Sequence, residues 1–200
     1  MIASLSPLPR FLFSLFLWLP LTFAAWYFSA PLSTGLAGWV ARAGLWAYQS
    51  GMVTAVEQAG TTLTYVTGIT VQHAQAAPGA TAVLAPEVST LVYTCGLPVY
   101  AALLLAERIW CRKIAAGLIV LVLLQGWGIA FDVLAQLGLQ AGAGASAQLA
   151  MSGWRAEAVA IAYQAGALIF PTLVPVLAWS FVSPLVRESV ARAQADFGRA

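Results

Sequence analysis

Charge is what this chain of 200 residues has least of: nine Lys/Arg and seven Asp/Glu make up 8% of it, against about 25% in an ordinary soluble domain. So few charges cannot coat the surface that a folded chain of this size exposes, which excludes both a disordered polymer and a water-soluble enzyme. The formal net charge is only +2 and no basic run is present, so nucleic acid is not an expected partner. Histidine occurs once and cysteine twice, with no CxxC, no HExxH and no Cys/His cluster, so the sequence offers no metal site and no haem ligand set. It also lacks GxxxxGK[ST] and GxGxxG, and Gly138, Gly142 and Gly144 lie in an Ala/Gly/Gln/Ser stretch that reads as a loop. No cofactor is expected.

What the chain has is apolar length. Hydrophobic residues make up 61% of it and the mean hydropathy is +0.85, so lipid is the expected solvent. Four stretches are long and uncharged enough to cross it: 11–30, 89–106, 114–131 and 158–182. Pro98, Pro171 and Pro175 inside them read as kinks, because neighbours and Ser/Thr side chains can re-satisfy freed carbonyls. The first stretch is also open to a signal-peptide reading, with Phe28-Ser29-Ala30 as small residues before a cleavage point. Its twenty apolar residues exceed the usual signal core of about 7–15, and Pro31 disfavours cleavage, so a retained anchor is expected.

Between the first two spans, Pro31 to Ser50 is apolar but carries Arg42 at its centre, flanked by Trp39, Trp46 and Tyr48. An arginine at mid-bilayer costs about 2.5–3.5 kcal/mol on insertion scales, so this stretch is expected to lie flat as an interfacial helix. Thr61 to Val71, interrupted at Gly68, and Thr81 to Leu84 are strand-prone, with His73 to Gly79 as the loop between them. The expected fold is an all-α integral membrane protein: four transmembrane helices, an interfacial helix and a small β-hairpin-like segment, in one domain over 1–200. Arg10, Arg108, Arg112, Lys113, Arg187, Arg192 and Arg199 fall on one side of this topology, and only Arg42 and Arg155 on the other. That bias places both termini in the cytoplasm of a bacterial inner membrane, residues 31–88 in the periplasm, and the tail 183–200 inside as a short amphipathic helix.

The few polar groups within the spans fall on stripes. Gln125, Gly128, Asp132 and Gln136 share one helix face, and Glu157, Gln164 and Pro171 share another at seven-residue spacing. If the two helices run antiparallel, Asp132 and Glu157 meet at the outer level with Arg155 to neutralise them, and Gln125 faces Gln164 about 10 Å deeper. Three readings stand: interhelical glue, a proton or solute path, and a partner-docking face. Cys95 with His73 and an arginine would be a membrane transpeptidase set, against a thiol packed in a span and a lone loop histidine. Cys95 and Cys111 lie sixteen residues apart at opposite ends of one helix, too far to pair. Cys111 reads as an interfacial thiol, and Glu107 with Arg108 as an ordinary loop anchor.

Several strings resemble a known family. FLFSLFLWLPLTFAAWYFSAPL from Phe11, VEQAGTTLTYVT from Val56, EVSTLVYTCGLPVYAALLLA from Glu87, QGWGIAFDVLAQL from Gln125 and WRAEAVAIAYQAGALIFPTLVPVLAW from Trp154 are similar, in order, to the exosortase H-associated membrane proteins. The resemblance implies an accessory inner-membrane protein that accompanies an exosortase, the integral-membrane transpeptidase that processes secreted proteins bearing a C-terminal sorting tail. It implies that the catalytic Cys, Arg and His sit on the exosortase, so no catalytic residue carries over. The expected partners are membrane lipid and an exosortase or another membrane protein, with Gln125, Asp132, Gln136, Arg155, Glu157 and Gln164 as the polar interface. The alternatives are a cysteine transpeptidase using Cys95 and His73, and a small transporter.

Overall fold

The computed structural model describes residues 7–72, 81–110 and 113–197. Among them, three helical rods are long and apolar enough to cross a membrane: Leu8–Tyr48, Ile114–Gln140 and Trp154–Val182. The expected second span is a shorter helical stretch, Leu91–Glu107. It is built from α2 (Leu91–Thr94) and α3 (Gly96–Glu107), which meet at Cys95. At 1.5 Å per residue it covers about 25 Å, less than a hydrocarbon core of about 30 Å.

The first rod departs most from expectation. Helix α1 runs unbroken from Pro7 to Tyr48, 42 residues and about 63 Å, so 31–50 is not a separate interfacial helix. Pro20 and Pro31 lie inside it without ending it. In lipid no water competes for backbone groups, and a proline inside a spanning helix is tolerated. Arg42 is exposed on the helix's upper half, about 18 Å along the axis beyond Ala30, so the helix lifts it out of the apolar stretch without having to lie flat.

That upper half is packed along one face. Ala30, Thr34, Ala37, Ala41 and Leu45 are fully buried, at steps of four, three, four and four. This is one face of a helix, made almost wholly of small residues. Against it lies α4 (Lys113–Ala135), which crosses where a side chain at Gly126 would run into Val40 and come within 3.1 Å of the Ala41 backbone nitrogen.

The other side of α1 carries a sheet. Strands β1 (Val53–Ala59), β2 (Thr62–Thr67) and β5 (Glu87–Ser89) pair antiparallel in the order β1-β2-β5, and β3 (Thr70–Gln72) pairs with β4 (Thr81–Val83). The expected single hairpin is therefore two small sheets. The Thr61–Val71 stretch supplies β2 and β3 on either side of Gly68, as its composition predicts, whereas β1 and β5 were not foreseen. Leu63, Tyr65 and Thr67 alternate inward, the pattern of a half-buried strand. A side chain at Gly38 would meet Leu63 at 2.7 Å, so helix and strand touch there without a spacer.

Two π-turns interrupt the remaining rods. Helix α4 continues through a π-turn at Gln136–Gln140, and α6 (Trp154–Gln164) passes through a second at Ala165–Ile169 into α7 (Phe170–Val182). The Ala/Gly-rich stretch expected as a loop forms the end of this rod and a short helix α5 (Ala143–Gln148). Helix α8 (Pro184–Phe197) closes the described chain. His73, Cys111 and the 73–79 loop lie outside the described residues.

Because the crossing at Gly126 leaves no room for a side chain, Gly126→Val should destabilise the protein by about 1–3 kcal/mol through overpacking. A lowered thermal midpoint of the detergent-solubilised protein, relative to Gly144→Ala in α5, where a side chain meets nothing within 4 Å, is the measurement that checks it.

Candidate functional site

The polar groups gather at two levels. At the upper level, Asp132 of α4 accepts hydrogen bonds from the Tyr93 hydroxyl of α2 (2.9 Å) and from Gln136 Nε2 (3.1 Å). Gln136 Nε2 also donates to the Glu87 carbonyl of β5 (3.0 Å), so one amide and one carboxylate tie the rod, the short helix and the sheet together. Tyr93 reaches Asp132 across Gly128, where any side chain would collide with its ring.

Beside this lies a chain of buried hydroxyls. Thr34 of α1 and Thr90 share a hydrogen bond, Thr90 Oγ1 donates to the Thr61 carbonyl (2.8 Å), and Thr94 Oγ1 donates to the Thr90 carbonyl (3.0 Å). Thr34, Thr90 and Thr94 are completely buried. No stripe or motif marks them in the sequence, because threonine is ordinary both in strands and in spanning helices.

The expected interhelical pairs are not formed. Gln164, Glu157 and Arg155 are exposed, and Gln125 is buried with no partner on either amide atom. Arg155 lies over the Trp154 ring, 5.9 Å from its centroid, and no ion pair joins it to Asp132 or Glu157 among the described residues. A π-turn at Ala165–Ile169 divides the expected stripe. Glu157 and Gln164 precede it and stay on the outward face, while Pro171 follows it and is buried. An extra residue in the turn rotates the chain beyond it, so the seven-residue stripe does not continue across. Where α4 and this turn meet, Gly128 and Gly166 face each other with no room for a side chain.

At the opposite end, Glu107 is more than the ordinary loop anchor expected of it. Its carboxylate accepts from Trp179 Nε1 (2.9 Å), from the Ser183 hydroxyl (2.7 and 2.9 Å) and from the Leu185 backbone N–H (2.8 Å). Ser183 Oγ in turn accepts from the Val186 N–H (3.2 Å), which makes Ser183 the N-cap of α8. Glu107 thus occupies the positive end of α8 and joins α3, α7 and the tail helix. Trp179 also stacks on Phe11 at 5.4 Å, so Arg10, Arg108 and Arg187 share this end of the molecule, away from Arg42 and Arg155.

An open groove runs between α1 and the outer strand of the sheet. It is lined by Gly35, Gly38, Trp39 and Arg42 on the helix and by Val56, Gln58 and Leu63 on the strands, and encloses about 150 Å³. Gln58 Nε2 closes one end by donating to the Pro31 carbonyl (2.8 Å). On the inner side of the groove the buried Tyr65 hydroxyl donates to the Gly38 carbonyl (3.4 Å), and burial pushes its phenol above the ordinary range. Arg42 is exposed and has no acidic partner among the described residues.

The low-count residues are less organised. Cys95 is a free thiol, half-buried, that donates to the Val92 carbonyl (3.2 Å) and, among the described residues, is joined to no basic side chain. Among the described residues no three His, Cys, Asp or Glu side chains come together.

Removing the Glu107 carboxylate strands the buried Ser183 hydroxyl, an indole N–H and a helix N-terminal amide. Glu107→Ala should therefore cost about 1–3 kcal/mol and speed hydrogen exchange at Leu185–Arg187, while the amides of β2 stay unchanged. Exchange mass spectrometry in detergent or nanodiscs reads both regions at once.

Searches of curated proteins and of solved structures give no match to this chain. A family model described as exosortase H-associated membrane protein matches residues 5–184, which takes in all three rods, both sheets and, of the Glu107 cluster, Glu107, Trp179 and Ser183. The chain therefore belongs to the exosortase H-associated membrane protein family.

Proposed function

We propose that this protein is a non-catalytic accessory component of an exosortase-type C-terminal sorting system, which docks the sorting enzyme or its substrate at the end of the molecule that carries the sheets. The observation that carries the reading is the bare outer edge of β1 beside the α1 groove. No described strand pairs with that edge. A seven-residue edge offers a row of backbone donors and acceptors that an extended segment of another chain can pair with. Arg42 at its rim is a free cation for a carboxylate, and Trp39, 75% exposed, is an aromatic anchor of the kind that concentrates binding energy.

The topology in this reading has four crossings, with Leu91–Glu107 as the short one, and a periplasmic cap. Both termini are cytoplasmic, since Arg10, Arg108 and Arg187 share one end. The membrane is the bacterial inner membrane. The enzyme and transporter alternatives gain nothing comparable from the described residues, which do not include His73: among them Cys95 has no base beside it, and the polar groups around Asp132 end at Gln125, below which the rod presents Leu124 and Leu121.

The test is recovery of the exosortase or a tailed substrate on a tagged copy solubilised from its native membrane. Arg42→Glu should lower that recovery about tenfold, the equivalent of about 1.4 kcal/mol, without changing the thermal midpoint. Equal recovery with Arg42→Glu and Trp39→Ala, together with normal tail processing after gene deletion, would sink the proposal. The orientation has its own check: a membrane-impermeant thiol reagent on intact spheroplasts should reach Cys95 before Cys111, and labelling of Cys111 alone inverts it.

A further inference from the structure

Gln125 sits near the middle of the second rod, 4% exposed, with neither its amide nitrogen nor its amide oxygen bonded to any protein group. An amide buried this way in an apolar setting is costly unless something pairs with it. It lines a small, partly open space with Tyr93, Gly96, Gly166, Phe170 and Pro171. The space open to the centre of a water molecule is about 10 Å³, enough for about one water.

A second polar group borders the same space. Pro175 has no N–H, so the carbonyl of Pro171, four residues earlier, lacks the donor it would have in an unbroken helix. That carbonyl faces Gly96: a side chain there would come within 2.9 Å of the Pro171 oxygen. Glycine at 96 lets α3 come this close to the Pro171 carbonyl, and glycine at 166 lets the π-turn close on Gly128. The lining holds no charged residue, which disfavours a metal ion. The space is too small for an organic ligand.

We infer that Gln125 holds one buried water molecule, which accepts a hydrogen bond from its amide and donates one to the Pro171 carbonyl at the joint of α3, α4 and α7. The water supplies what the two prolines and the π-turn remove, a partner for backbone in mid-membrane. The inference stands apart from the docking reading, since it concerns the interior of the rods.

The test is a water-to-amide cross-relaxation measurement by NMR on the full chain in nanodiscs, with glutamine side chains labelled with nitrogen-15. The Gln125 NH2 signals are assigned by their loss in Gln125→Met, or in Gln125→Glu if the first variant does not fold. A water cross-peak at the Gln125 side chain, of the sign that marks a long-lived bound water, is the expected result. A Gln125 NH2 pair with no water cross-peak, while the pair of Gln49, exposed in the turn after α1, shows one, overturns the inference.

Discussion

The close packing of the upper half of α1 is the constraint on which the rest of the structure depends. Alanine, glycine and threonine on one face let α4 approach on one side and β2 on the other, with Gly126 and Gly38 at the two contact points. Larger residues there would push both neighbours away. Then the sheet would lose its floor, and a three-stranded sheet without a packed face is marginal. The same upright helix carries Arg42 and Trp39 up to the groove and sets the Thr34 hydroxyl against Thr90. Small residues at helix contacts are also what lipid favours, because close van der Waals approach replaces the missing hydrophobic drive between helices.

Each end of the molecule solves one polar problem with one acid. Asp132 gathers a tyrosine and a glutamine where the rods meet the sheet. Glu107 gathers an indole, a hydroxyl and a helix N-terminus where the rods meet the tail. Among the described residues neither acid is neutralised by a basic residue; both are satisfied by donors. That solution suits a chain with so few charges, since aromatic and hydroxyl donors carry their own apolar body into the packing. Around them the lower half of α1 exposes Phe13, Phe16, Leu17 and Phe28, the surface expected where acyl chains are the solvent.

Two kinds of site escaped the sequence reading for different reasons. The Glu107 cluster is assembled from residues more than seventy positions apart, and its members are individually unremarkable at a helix end. Strand β1 was hidden because Glu57 and Gln58 break its apolar alternation; as an outer strand it buries little, so its pattern is weak. By contrast Asp132 and Gln136 are found together as their four-residue spacing predicts, because both lie on one helix and need no knowledge of a second.

Composition alone determined that this chain lives in lipid, where the long apolar rods run, and that its chemistry is poor in nucleophiles and metal ligands. The order of its apolar strings carried the family. Only the tertiary structure decided that the first rod continues upright through Pro31, and that Gln164 faces outward while Gln125 faces in. The physical reason is that periodicity fixes which residues share a face, but not where that face points. Rotation about a helix axis is set by the neighbours it packs on and by π-turns, neither of which leaves a mark in the spacing of residues.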